Sequence, residues 1–425
     1  MSFSYLNNQL QVENLSVHQI VKQYGTPCYI YSYASLIEQW NAFCNGLQGY
    51  PHQICYAVKA NANLSIIATL AKLGAGFDIV SEGELARVIV AGGMPEKSFF
   101  SGVGKSKQAI TQALQANIAC FNVESYEELQ RIEEESKYLN KIAPIAIRVN
   151  PNIDADTHPY ITTGLKENKF GINMEDTLPL YRLAAASKHL KIQGIACHLG
   201  SQLTTLSPFL QAIEQLLIIS EQLAREKIVL QEINVGGGLG VSYAQESVPV
   251  PTVQEYCQKI LHKLAQKNAH LRLIVEPGRS LIAKAGILVT RIEYLKNNGY
   301  KNFAIVDAGM NDLLRPALYQ TEQTIQAVNL RPEIQETVYD VVGPLCESSD
   351  FLGKNKKLNA QSGDYLAILD CGAYGFSMSS TYNSRPRCAE VIVDKHIASL
   401  IRSRETVEQG WANELPLLFN KIGIS

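Results

Sequence analysis

Between residues 50 and 280, eight short β-favouring runs alternate with stretches of helical spacing, and this alternation limits the fold more than any other feature of the chain. The runs are QICYAVK (53–59), AGFDIV (75–80), SFFSG (98–102), ACFNV (119–123), IAIRVN (145–150), IQGIACHLG (192–200), EINVGG (232–237) and LRLIVEPG (271–278). Between them, stretches such as SYEELQRIEEESKYL (125–139) and FLQAIEQLLIISEQLAREK (209–227) carry helical spacing. Parallel strands need long crossovers, which helices supply, so eight such units predict an α/β fold: a (β/α)8 barrel of the TIM type. An open doubly wound sheet is the competing arrangement of the same units.

After Gly278 the texture changes. GILVTRIEYLKN, FAIVDAGM, ETVYDVVGPLC, DYLAILDCGAY and AEVIVD are strand-like, separated by turn residues and with few helical repeats. A C-terminal β-barrel or β-sandwich is expected there, with a terminal helix around 405–421. The segment PCYIYSY, within the first 35 residues, could add a strand to it. The length of 425 residues exceeds what one compact core usually holds. Two domains are therefore expected, 36–282 as the barrel and 1–35 with 283–425 as the β part.

Apolar residues make up 46% and charged residues 18%, which suits a large buried core. The formal net charge of −2 leaves no basic excess for phosphate backbones or anionic lipid, so neither nucleic acid nor membrane is an expected partner. MSFSYLNNQLQVENL lacks the basic start and apolar core of a secretion signal, and no apolar run approaches the ~20 residues of a membrane span. A cytoplasmic location is expected. Nine cysteines are scattered without CxxC pairs, so neither a metal site nor a disulfide framework is expected.

In such a barrel, chemistry gathers at the carboxyl ends of the strands. Lys59 ends the first run and Asp78 lies near the end of the second. His198 closes the sixth, VGGGLG (235–240) follows the seventh, and Glu276-Pro277-Gly278-Arg279 ends the eighth. Each has a plain structural reading: a strand-end lysine, a core histidine, a tight glycine turn, an exposed ion pair. The dinucleotide pattern GxGxxG fails because Val241 stands where its third glycine would be, which sets a nicotinamide site aside. One cofactor accounts for the set, pyridoxal 5′-phosphate. A lysine amine condenses with its aldehyde, glycine N–H groups approach its phosphate, and a carboxylate pairs with its ring nitrogen.

Further motifs carry a resemblance through nearly the whole chain: YAVKAN (56–61), GFDIVSEGEL (76–85), RVNPNIDADTHPYITTGLKENKFGI (148–172), HLGSQ (198–202), GGGLG (236–240), EPGRSLIAKAG (276–286), MNDLLRPALY (310–319), GPLCESSDFL (343–352) and GAYGFSMSSTYNSRPR (372–387). The chain resembles the alanine-racemase-like pyridoxal-phosphate enzymes of the group IV decarboxylases, and within them the diaminopimelate decarboxylase family. The resemblance implies an activity: meso-2,6-diaminopimelate would lose CO2 to give L-lysine. It also implies roles. Lys59 would hold the cofactor, with Asp78 nearby; His198 would lie on its ring and Glu276 pair with its nitrogen. Ser201, Gly237, Gly238, Gly240 and Tyr374 would hold the phosphate, with Pro277 and Gly278 in the same binding segment. Arg279, Arg315 and Tyr319 would grip the substrate's distal carboxylate, and Glu347 its distal ammonium. Cys346 would supply the proton that replaces the carboxyl group. A homodimer with shared sites is implied, the CES segment reaching across from the partner. Related decarboxylases of ornithine, lysine, arginine or carboxynorspermidine need a different distal pocket, and a non-catalytic cofactor binder would not need the residues beyond the barrel. Two positions depart from the pattern, Glu82 where glycine is expected and Cys388 where proline is usual.

Overall fold

The computed structural model describes residues 3–153, 168–243, 249–267 and 270–414. Part of the 148–172 motif, residues 154–167, lies outside them. The eight barrel strands are, in chain order, His52–Ala57, Gly76–Ile79, Ser98–Phe100, Cys120–Val123, Ala143–Asn150, Leu190–Ala196, Glu232–Asn234 and Arg272–Val275. Each pairs in parallel with the next, and the eighth pairs with the first, so the sheet closes on itself rather than staying open.

Six of the eight expected runs overshoot the strands at their carboxyl ends; those ending at Val123 and Asn150 do not. Pairing stops at Ala57, Ala196, Asn234 and Val275, so Lys59 sits in a 3-10 turn, Val58–Ala60, and His198 lies two residues beyond its strand. The physical reason lies in the barrel interior. Cys55, Phe99, Cys120, Ala146, Ala196 and Ile274 form a separate buried cluster. Side chains on one face of a strand recur every second residue. Two positions further on stand Ala57, Ser101, Asn122, Arg148, His198 and Glu276. An apolar floor thus carries a ring that is polar except at Ala57, and at Ser101, His198 and Glu276 the backbone has left the ladder.

The crossover helices start abruptly. Ser81, Ser106 and Ser125 each accept the backbone N–H three residues on, and Thr252 forms a reciprocal capping box with Glu255. The helix after the eighth strand, Arg279–Ile282, has only four residues. Helix Tyr33–Gly46, which precedes the first strand, packs beside Val253–Gln266, where the Phe43 and Tyr256 rings meet edge-on at 6.4 Å. A Cβ on Gly46 would come within 2.8 Å of the Cys257 Cβ, so glycine sets how closely these helices approach.

A second sheet forms from the chain's two ends. Its spine is Gly286–Asn297, which pairs antiparallel with Cys28–Ser32, Tyr365–Ile368 and Asn302–Val306. Cys28–Ser32 also runs parallel to Ala389–Asp394, so PCYIYSY does supply a strand. The helix expected around 405–421 does not form over the described part: residues 405–414 hold turns and one 3-10 turn, Glu408–Gly410, and 415–421 lie outside the described residues. The N–H of Glu405 is held by the carbonyl of Arg387 and its carboxylate by that residue's guanidinium, and Gly410 interrupts any longer nucleus.

Barrel and second sheet meet at the buried carboxylate of Glu390. Its Oε1 accepts from the Tyr31 hydroxyl at 2.7 Å; its Oε2 accepts from Asn63 Nδ2 at 2.9 Å and from Arg402 Nε. Asn61 Nδ2 donates to the Tyr31 hydroxyl at 3.0 Å and to the Gly372 carbonyl at 3.1 Å. The two asparagines that follow Lys59 therefore fasten its turn to the second sheet. Glu390→Ala should lower the unfolding free energy by about 3 kcal/mol in urea denaturation, because several buried donors lose one acceptor together. A loss under about 1 kcal/mol would refute the joint.

Candidate active site

Lys59 leaves its turn toward the barrel axis, where Nζ donates to Asp78 Oδ2 at 2.8 Å. Asp78 is fully buried, and its Oδ1 makes no hydrogen bond. Burial by itself disfavours the ammonium, but Asp78, then Tyr374 and Glu276, outweigh it and raise the amine's pKa. The lysine is therefore held as a cation, one bond away from becoming a nucleophile.

Glu276 lies just past the eighth strand and is 6% exposed. Its Oε1 accepts from Asn234 Nδ2 at 2.6 Å and Asn122 Nδ2 at 3.4 Å. Burial, followed by the charge of Asp78, raises its pKa against the opposing pull of Lys59 and Asn234. A basic ring nitrogen placed beside it could share its proton and form an ion pair. The Gly237 N–H donates to His198 Nδ1 at 3.1 Å. Burial, then the charges of Lys59 and Arg148, hold the His198 pKa well below its usual value. The ring is neutral, and its proton sits on Nε2.

The glycine turn is packed tightly. A Cβ at Gly237 would stand 2.2 Å from the Glu276 carbonyl oxygen, and one at Gly238 2.6 Å from that of Gly200, with φ at +111° besides. At Gly240 it would stand 2.8 Å from the Leu203 carbonyl oxygen. Only glycine lets these loops close around the rim. Gly278 meets the Cβ atoms of Ala57 and Ala60, while the Pro277 carbonyl accepts the Ala57 N–H.

Two buried guanidiniums occupy the other side. Arg279 donates from Nη2 to Ser201 Oγ at 2.9 Å and from Nη1 to the Tyr243 hydroxyl, and it lies 4.8 Å over the Tyr374 ring. Arg315 lies 5.3 Å from the ring centres of both Tyr243 and Tyr319, and its Nε makes no hydrogen bond. Burial, then the charge of Arg279, lowers the Arg315 pKa. Among the described residues, neither guanidinium is ion-paired with a carboxylate. Two desolvated cations on aromatic faces suit an anionic group of a ligand. Tyr374 holds φ at +55°, and its N–H donates to the Ala60 carbonyl, next to Lys59.

Cys346 and Glu347 are not brought to this cluster. Both are exposed; the Cys346 N–H donates to Asn383 and the Glu347 carboxylate accepts from Ser348. Conversely, Asn122, Asn234, Arg148 and Tyr243 belong to the site without having been singled out. The first three show a signal in hindsight, as polar residues at the ends of strands otherwise apolar in that register; Tyr243 follows the glycine turn. The two departures fall elsewhere: Glu82 opens a helix, where a carboxylate is favourable, and Cys388 is buried. Among the described residues, no group of three or more His, Cys, Asp or Glu side chains could hold a metal ion.

The donor set fits pyridoxal phosphate: an amine, a buried carboxyl lacking a directly bonded cation, a neutral flat ring, and a turn that side chains would block. Asp78→Asn should speed reductive methylation of Lys59 in the cofactor-free protein near pH 8. The substitution deletes the largest influence that raises the amine's pKa and leaves burial, which lowers it, so more free amine is present. An unchanged or slower rate, read by mass spectrometry of the Lys59 peptide, would refute this pairing.

Residues 33–283 match the family of pyridoxal-dependent decarboxylases through its pyridoxal binding domain. Diaminopimelate decarboxylase of Haemophilus influenzae is 50% identical over 412 residues, 97% of this chain and 99% of that protein. That of Vibrio cholerae is 52% identical over 414 residues, 97% and 98% of the two chains. The crystal structure of diaminopimelate decarboxylase from Helicobacter pylori complexed with L-lysine superposes with a TM-score of 0.89 at 43% identity, covering 93% of this chain and 98% of that one. On fold, rim and full-length similarity together, the chain belongs to the pyridoxal-dependent decarboxylases, in their diaminopimelate decarboxylase family.

Proposed function

We propose that this chain decarboxylates meso-2,6-diaminopimelate to L-lysine and CO2, the last step of lysine biosynthesis, with pyridoxal 5′-phosphate as cofactor. The observation that carries the substrate is the Arg279–Arg315 pair: two buried cations, ringed by tyrosines and lacking a carboxylate partner among the described residues. A substrate with a distal carboxylate satisfies them; one without it leaves two charges desolvated, which a site tolerates poorly.

When bound, the cofactor supplies an electron-accepting ring that takes up the charge left as CO2 departs. The chain's residues do the rest. Lys59 would hold the cofactor through its amine, and Asp78 would pair with that amine whenever it is free, favouring its charged form. Glu276 would pair with the ring nitrogen, and His198, neutral and held by the Gly237 N–H, would lie against the ring. Ser201, Gly237, Gly238, Gly240 and Tyr374 would surround the phosphate, with Pro277 and Gly278 in the neighbouring segment against the Lys59 turn. Arg279, Arg315 and Tyr319 orient the distal carboxylate, and Glu347 the distal ammonium. Cys346 holds the proton that reaches the α-carbon.

The exposure of Cys346 and Glu347 supports a homodimer in which each CES segment completes the partner's site. Residues 36–282 would then be the cofactor-holding domain, and 1–35 with 283–425 the domain that carries substrate and interface residues. No helix among the described residues is long and apolar enough to cross a membrane; a cytoplasmic location is part of the proposal.

CO2 release from a panel of amino acids tests the substrate. Diaminopimelate should far outpace ornithine, lysine and arginine. Arg315→Ala should cut its kcat/KM at least about 100-fold while cofactor absorbance persists; full turnover with unchanged preference would refute the assignment. Lys59→Ala should be inactive and Cys346→Ala reduced to a small residual rate, yet mixing them should restore about a quarter of the sites, since one site of each mixed dimer is intact. No recovery after demonstrated subunit exchange would refute shared sites.

A further inference from the structure

Cys346 stands on a loop whose base is stapled and whose tip is exposed and lightly held, Ser349 Oγ reaching the Met310 sulfur at 3.6 Å. The Asp350 carboxylate, 4% exposed, accepts the Met310 N–H on Oδ1 at 2.6 Å and the Leu345 N–H on Oδ2 at 2.9 Å. Its carbonyl accepts the Gly343 N–H at 3.0 Å, and its own N–H donates to the Glu347 carbonyl at 3.1 Å. A Cβ on Gly343 would lie 2.3 Å from Asp350 Oδ2, so glycine is what admits the carboxylate. Beyond this base, residues 346–349 are exposed. The hydrogen bond that ties the Cys346 backbone to the body of the protein comes from far along the chain: its N–H donates to Asn383 Oδ1 at 3.0 Å.

Asn383 is built to present that oxygen. It adopts φ +54°, ψ +30°, and Ser384 follows at φ +56°, a left-handed pair in which asparagine is among the few tolerated side chains. The turn is itself anchored: the Ser380 N–H donates to the Asn311 carbonyl at 2.8 Å, and Arg385 Nη2 to the Asp307 carbonyl at 2.6 Å. Holding the N–H fixes the peptide plane that enters Cys346, and so restricts where its Cα, and the side chain on it, can sit.

We propose that Asn383 is the positioning residue for Cys346, its side-chain oxygen holding the backbone so that the thiol points at the reacting carbon. This rests on Cys346 being the proton donor. Misplacement of a reacting group by ~1 Å costs up to about 100-fold in rate, so one tether on an exposed tip is enough to matter.

Two substitutions separate the side chain from the backbone. Asn383→Gly keeps the left-handed turn and deletes the acceptor; Asn383→Asp keeps both. In the cofactor-loaded enzyme, Asn383→Gly should speed hydrogen exchange of the Cys346 amide about tenfold, and Asn383→Asp should not. With diaminopimelate, Asn383→Gly should lower kcat about 10–100-fold with KM within about twofold, while Asn383→Asp restores most of the rate. In a Cys346→Ala background, Asn383→Gly should add no further loss. Unchanged exchange would overturn the tether. An equal loss in both backgrounds would overturn action through Cys346. Full activity of Cys346→Ala would overturn the donor assignment and this inference with it, and the exchange measurement, which involves no turnover, tells that failure from the others.

Discussion

Val275 pairs with Ile54, and the ladder continues one step past the strands, where the Ala57 N–H donates to the Pro277 carbonyl at 3.1 Å. This seam closes the barrel. It brings the end of the eighth strand, with Glu276 and Arg279, against the end of the first, with Lys59. A parallel barrel must send every strand's carboxyl end to the same rim, so one closure gathers residues from the whole first two thirds of the chain. The burial above that apolar floor raises the pKa of Glu276 and lowers that of His198.

The buried charges fall into two kinds. Lys105 with Glu128 and Arg148 with Glu124 are short ion pairs, and Glu124 also accepts the N–H groups of Gly102 and Gly171. They join rim loops to one another, and Arg148 also helps keep the His198 ring neutral. Arg279, Arg315 and Glu276 are different: hydroxyls, amides or aromatic faces surround them, and none meets an opposite charge at bonding distance among the described residues. Charges left in that state cost stability, and a protein keeps them where a ligand completes the set. Lys59 stands between the two kinds, with a partner it can surrender.

The second sheet matters through what it fastens. Glu390, Tyr31 and the Gly372 carbonyl grip Asn61 and Asn63, and Tyr374 and Ser377 both donate to the Ala60 carbonyl. The turn carrying Lys59 is therefore held from the side that also supplies Arg315 and Tyr374, which ties the two sides of the candidate site together.

Much of this was legible in one dimension, because it rests on local chemistry. Period-two runs alternating with period-3.6 stretches specify strands and crossover helices, and glycines at 236–240 can be read as a turn that side chains would obstruct. Lys59, His198, Glu276 and Arg279 stood out because their types are improbable at the ends of apolar strands. Other features depend on who faces whom. Strand ends were overrun because residues such as Val58 and Cys197 favour extended backbone whether or not a neighbour pairs with them. Asn122, Asn234 and Tyr243 look ordinary until the closed barrel sets them against Glu276 and Arg279. The expected terminal helix gave way, over its described part, to an ion pair with Arg387 that no local pattern announces. The sequence by itself determined the barrel and the chemical types at its mouth, since periodicity and residue type are properties of neighbours in the chain. Only the tertiary structure decided which of those charges are paired and which are not, because pairing is a distance between residues far apart in sequence.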